Sequence, residues 1–98
     1  MNFVLKFTLV AKETLKELKK KPYLKKRYNA VVKTLRFLRN NPRHPGLNTH
    51  EFTSLKGPKG EKVFVAYAEQ NTPAAYRVFF YYGTLKGEIT IIAITPHP

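Results

Sequence analysis

Arg77 is the one charged side chain in AAYRVFFYYG, Ala74 to Gly83, a run of aromatic and apolar residues that ends in a turn. Neighbours in a strand alternate between faces, so Tyr76, Val78, Phe80 and Tyr82 fall on one side and Arg77, Phe79 and Tyr81 on the other. The first set reads as the face packed against helices. Arg77 is then on an open face among rings, where a guanidinium can bond a phosphate bidentately and stack on a base. Tyr67, Lys62 and Lys56 share that surface in some strand registers. The competing reading pairs Arg77 with Glu69 or Glu88 across the sheet and has its stem cover apolar surface. His44 and His50 lie in a Pro-rich loop and beside a strand. No third ligand stands at metal-binding spacing, so they read as surface imidazoles, and neither a metal nor a cofactor is expected.

The charge balance names a class of partner. Eighteen Lys and Arg stand against six Glu and no Asp, a formal charge of +12 over 98 residues with a pI near 10.1. Such a chain seeks a polyanion, with nucleic acid and the ribosome the leading choices. Between Met1 and Pro45, thirteen Lys and Arg face only Glu13 and Glu17. A solvated helix face is the ordinary reading of a lysine run. Self-repulsion on this scale favours a phosphate footprint instead, and an acidic protein segment can use the same cations. With no Cys there is no disulfide framework and no thiolate metal site. The opening MNFVLKFTLVAK alternates and contains Lys6, unlike a signal peptide, and no segment approaches transmembrane length. A soluble, cytoplasmic protein without a membrane partner is expected.

These residues need elements to position them. Phe3, Leu5, Phe7 and Leu9 recur at period two and predict a half-buried strand, after which Thr8 can cap a helix. Ala11, Leu15 and Leu18 have helical spacing, and Lys19, Lys20 and Lys21 before Pro22 suit the negative end of a helix that proline closes. A second helix begins at Tyr23 and reaches about Asn40, buried along Leu24, Tyr28, Val31, Val32, Leu35 and Leu38. Lys25, Lys26, Arg27, Lys33, Arg36 and Arg39 fall on an adjacent flank as a nucleic-acid-binding surface. NNPRHPG ends the helix. EFTSLKG is a weak strand and GPKGEK a turn. VFVAYA, YRVFFYY and EITIIAI are stronger strands, the last two joined by a hairpin turn at TLKG. The expected fold is α+β in a single domain over 1–98: an N-terminal strand, a two-helix hairpin, then a curved, mainly antiparallel sheet of three to four strands, with both helices on one face.

The order of elements and several segments together resemble the RelE/ParE toxin superfamily of type II toxin-antitoxin systems. FVLKFTLVAKETLKEL resembles the family's opening strand and first helix, and LKG followed by VFVAYA its turn and second sheet strand. YRVFFYY resembles the strand with a Tyr-Arg-apolar motif, and ITIIAITPH the final strand leading to a histidine or basic residue. The resemblance covers essentially the whole chain. It implies a sheet with two helices. It also implies a toxin neutralised by a cognate antitoxin, here an acidic one, that either cuts messenger RNA on the ribosome or inhibits DNA gyrase. By position, Arg77 matches the strand arginine that contacts the scissile phosphate in the ribonucleases, and His97 falls where some members place an acid/base histidine. Tyr67 stands where a second basic residue is frequent, and Glu51 lies within two places of a strand or loop glutamate that serves some members as base.

Metal-independent RNA cleavage needs a base for the 2′-hydroxyl, a cation for developing charge and an acid for the leaving oxygen. Arg77 can supply the cation, and an imidazole such as that of His97 exchanges protons near neutral pH. Lys56, Lys62, Tyr67, Tyr81 or Glu51 completes the set, with no choice among them from sequence. The other reading of His97 is a frayed, exposed residue between two prolines. The leading expectation is a ribosome-associated mRNA endoribonuclease, with a ParE-like gyrase inhibitor as first alternative. A noncatalytic RNA-binding or interaction module on the same fold is the second. The last is favoured by Tyr67 and by a sequence that stops at Pro98, short of the further Arg, Lys or Tyr residues of family ribonucleases.

Overall fold

The computed structural model describes residues 2–70, 72–83 and 85–97. Strand β1 (Val4–Phe7) gives way to helix α1 (Leu9–Lys20) at Thr8, whose extended backbone ends the one and whose side chain caps the other. Thr8 Oγ1 accepts a hydrogen bond from the Ala11 N–H at 3.1 Å and donates one to the Ile92 carbonyl at 2.6 Å. The capping expected from the sequence is therefore present. Lys19 and Lys20 occupy the last turn of α1. Pro22–Leu24 then forms one turn of 3₁₀ helix, so α2 (Lys25–Asn40) starts two residues later than its apolar pattern predicts. Proline closes the first helix and delays the second because its ring fixes φ and brings no N–H.

The second half of the chain supplies β2 (His50–Lys56), β3 (Lys62–Tyr67), β4 (Tyr76–Tyr82) and β5 (Glu88–Pro96). With β1 they form one five-stranded sheet in the order β1-β5-β4-β3-β2. Only the β1/β5 pair is parallel; the other three are antiparallel. The turn predicted at TLKG leads into β5, with Gly87 at φ 84°, a left-handed conformation that favours glycine; Thr84 itself lies outside the described residues.

Both helices cover one face of the sheet. Leu18, Val31, Leu35 and Leu38 from the helices meet Ala66, Val78, Phe80, Ile89, Ile91 and Ile94 in the main core. Fully burying side chains of this kind contributes roughly 1.5–3 kcal/mol each. On the opposite face Val63, Val65 and Phe79 form a smaller cluster with Phe52 and Tyr67 against it. Phe79 is on the predicted open face yet only 6% exposed, since the Phe52 ring meets it edge-on at 5.0 Å.

The alternation of β5 is broken at one place. β4 and β5 pair Phe79 with Ala93 and Phe80 with Ile91, so Ile92 is an extra residue, a β-bulge. Its carbonyl is the one that Thr8 binds. Thr8→Ala removes both the cap and this bond and should cost about 1–2 kcal/mol, the upper part of the range for helix caps. Urea unfolding should show a lower midpoint with an unchanged slope, and Thr8→Ser should recover most of the loss. An unchanged midpoint in Thr8→Ala would refute the role given to the hydroxyl.

Candidate functional site

Strand register gathers four side chains at one end of the uncovered face. Tyr67 pairs with Arg77 across β3 and β4, and Arg77 pairs with Thr95 across β4 and β5. His50 opens β2 opposite Val65, on the face of the smaller cluster. Its ring lies 5.6 Å from that of Tyr67 at an interplanar angle of 29°. On the other side of Tyr67 is His97, with ring centroids 6.1 Å apart. His97 follows β5 and is held to the start of β4 by its N–H on the Ala75 carbonyl at 2.7 Å. His50, Tyr67, Arg77 and His97 thus form a row across β2, β3, β4 and the end of β5.

Arg77 is half-exposed, with its guanidinium carbon 4.9 Å from the centre of the Phe79 ring. Its Nε is shut off from solvent without a hydrogen-bond partner among the described residues. An unsatisfied buried donor costs about 1–3 kcal/mol, and more when charged. The carboxylates that compete for it in the sequence are both engaged elsewhere. Glu69 bonds Arg27 at 2.8 Å and Glu88 lies 3.7 Å from Lys6. The geometry thus leaves a cation packed on an aromatic face, beside two imidazoles and a phenol.

The remaining candidates are not in this row. Tyr81 shares the face of Arg77 but pairs with Thr90, roughly 13 Å farther along β4 at about 3.3 Å per residue. Lys56 pairs with Lys62 at the far end of β2 and β3. Alternation turns Lys62 to the side of Phe64, which packs on the helix-side core, and Glu51 pairs with Phe64 directly. Glu51 is also 3.8 Å from Lys56. Pairing of His50 with Val65 and of Glu51 with Phe64 is what gives the uncovered face to His50 and Phe52 and withholds it from Glu51. The sequence signal was parity with Phe52, an aromatic residue that must face the sheet.

The cationic flank also needs one correction. Arg27 turns away from it: besides Glu69 it donates to the Pro73 carbonyl at 3.2 Å, and so ties α2 to the β3–β4 connection. That connection borders a cleft of about 470 Å³ lined by Tyr67, Gln70, Thr72 and His97. Lys25, Lys26, Lys33, Arg36 and Arg39 are exposed on α2, with Lys33 reaching over the Phe37 ring at 5.7 Å. Glu17 lies 3.3 Å from Lys21 and raises its ammonium pKa above the usual lysine value, with Tyr23 adding to the effect. Four of the six glutamates are therefore spent on internal ion pairs, which leaves most of the positive charge uncompensated. His44 is structural: its ring stacks on Phe37 at 4.4 Å and its Nδ1 accepts the Gly46 N–H at 3.0 Å. Among the described residues no group of His, Cys, Asp or Glu is placed to hold a metal, and no helix is long and apolar enough to cross a membrane.

No family model and no curated protein matches the sequence. Solved structures do match. A chain of the archaeal RelE–RelB complex from Pyrococcus horikoshii OT3 is 18% identical with a TM-score of 0.66, over 98% of this chain and 96% of that one. The YoeB/ParE toxin from Agrobacterium tumefaciens is 12% identical with a TM-score of 0.68, over 96% and 98%. A chain of the YoeB dimer from Staphylococcus aureus is 15% identical with a TM-score of 0.64, over the full length of both. At these identities the likeness speaks for the path of the backbone, and the α+β arrangement of an opening strand, a helix hairpin and a mostly antiparallel sheet is the fold that these three solved chains have.

Proposed function

We propose that the chain is a RelE-like toxin of a type II toxin-antitoxin system, a metal-independent endoribonuclease acting on messenger RNA at the cytoplasmic ribosome. The observation that carries this reading is Arg77, an arginine on the uncovered face that neither Glu69 nor Glu88 neutralises and that shares a row with Tyr67 and His97. In the proposed role its guanidinium binds the scissile phosphate and stabilises the charge that builds on it during in-line attack. Tyr67 offers a ring on which a base adjoining that phosphate stacks. His97 gives or takes a proton at the reacting oxygen. The exposed lysines and arginines of α2 hold the surrounding polyanion, with Arg27 excluded because it is engaged by Glu69. The RelE–RelB complex from Pyrococcus horikoshii supports a protein antitoxin as partner, and the uncompensated charge favours an acidic one. A gyrase inhibitor has no use for a proton carrier beside a phosphate-binding arginine, which is why the ribonuclease reading is preferred over the ParE-like one.

Expression in bacteria tests the reading directly. Growth arrest with new messenger RNA ends at ribosomal A sites is expected; a DNA-damage response without RNA cleavage would replace it with gyrase inhibition. Arg77→Ala should keep the fold and lower cleavage by roughly two to three powers of ten, as removal of one charge-stabilising donor does. Arg77→Lys should recover only part, since an ammonium lacks the planar fork. A folded Arg77→Ala protein that cleaves at the parental rate would defeat the assignment.

The α2 flank gives a separate measurement. Changing Lys25, Lys26, Lys33 and Arg36 to Gln should weaken ribosome binding and flatten its dependence on salt. The slope of log K against log salt should fall by about 0.7–0.9 for each phosphate that is no longer neutralised. A variant with the parental slope would remove this flank from the interface.

A further inference from the structure

The row contains one proton carrier more than the proposed function has used. His50 is exposed, opens β2, and lies one ring away from Tyr67 on the side opposite His97. Its Nδ1 is 3.2 Å from the Asn48 carbonyl. A carbonyl only accepts, so in this contact Nδ1 carries the hydrogen, and in the neutral ring Nε2 is left with the lone pair. Asn48 is itself fixed: its backbone is left-handed at φ 50°, and its side-chain amide donates to Gln70 Oε1 at 2.8 Å. The residue whose carbonyl sets the tautomer is therefore tied down through its own side chain. His44, six residues earlier, has the reverse arrangement, its Nδ1 accepting from Gly46, and stacks on Phe37 away from the row.

We infer that His50 is the general base of the site, with Nε2 presented to the 2′-hydroxyl of an RNA whose phosphate Arg77 holds. The inference rests on the ribonuclease reading and supplies the base which that reading leaves open. In the reaction, His50 Nε2 takes the 2′-hydroxyl proton and the 2′ oxygen forms a bond to phosphorus. The bond from phosphorus to the 5′ oxygen breaks with its electron pair going to that oxygen, which receives a proton from the His97 imidazolium. The products are a 2′,3′-cyclic phosphate and a free 5′-hydroxyl. His50 ends protonated and His97 neutral, and exchange with water restores both. The ring packed against His50 is that of Tyr67 from β3, and the other charged or titratable members of the row, Arg77 on β4 and His97 after β5, lie beyond it. Within β2, Glu51 points to the other face, and in the β3–β4 connection Glu69 is taken by Arg27.

The test compares the parent, His50→Gln and His97→Gln on ribosome-bound messenger RNA across pH. A base must be neutral to act and an acid must be protonated, so rate should fall on the acid side through His50 and on the alkaline side through His97. His50→Gln should lose roughly 10²–10⁴-fold in rate together with the acid limb, and His97→Gln should lose the alkaline limb. Binding of the same message carrying a 2′-deoxy nucleotide at the cleavage position should be unchanged in His50→Gln, which shows that the site is intact. His50→Ala should regain part of its rate with imidazole added to the buffer, a rescue that an unfolded variant does not show. If the parent cleaves and His50→Gln retains both its rate and its acid limb, the inference falls and the ribonuclease reading stands. A parent that leaves the message uncut on the ribosome overturns both.

Discussion

One extra residue in β5 decides which face of the sheet receives the end of the chain. Ile89 and Ile91 point to the helices, and uninterrupted alternation would send residues 93, 95 and 97 the same way. The bulge at Ile92 reverses that parity, so Ala93 and Thr95 pair on the uncovered face and His97 follows them to the side of Arg77. Thr8 pins the bulge by taking the Ile92 carbonyl, while its own N–H bonds Ile91 at 3.1 Å. A hydroxyl at the start of α1 therefore governs the position of an imidazole nearly the whole chain away. Bulges beside active sites re-aim side chains in this manner.

Much of this arrangement was legible in the sequence, for physical reasons that differ by element. β4 was readable because Tyr-Arg-Val-Phe-Phe-Tyr-Tyr has too much aromatic and β-branched content for a helix and is bounded by turn residues. The helix hairpin was readable from periodicity and from Pro22. The bulge was not, since ITIIAI is apolar at nearly every position and conceals where alternation slips. His50 was hidden because the strand read as EFTSLKG begins at Glu51 and left His50 in the preceding loop, where alternation assigns no face; β2 begins one residue earlier and places it opposite Val65. Arg27 had the sequence context of a surface charge, and its partner Glu69 is 42 positions away, a distance over which helix spacing carries no information. The side of the sheet carrying Arg77 was predictable from parity, whereas its separation from Lys56, Lys62 and Tyr81 depended on register.

The α2 and sheet regions divide the work between attraction and placement. The helix flank holds exposed cations on flexible stems, suited to following a phosphate chain without fixing it. The row on the sheet holds rings and a guanidinium on rigid strands, where register sets each spacing to within a pleat. Arg27 joins the two by fastening the start of α2 to the connection beside the cleft.

The consumption of Glu17, Glu51, Glu69 and Glu88 in internal pairs has a consequence for the chain in isolation. What remains is a dense, like-signed shell whose repulsion is strongest in dilute buffer and is screened within about 8–10 Å at moderate ionic strength. Added electrolyte therefore steadies the folded state even as it loosens the grip on phosphate, because both responses arise from the same ammonium and guanidinium groups. Conditions that favour the tightest engagement with a polyanion are those in which the solitary protein is most strained by its own charge. A bound acidic surface removes that conflict, and the folded chain is then most secure when its cations are occupied.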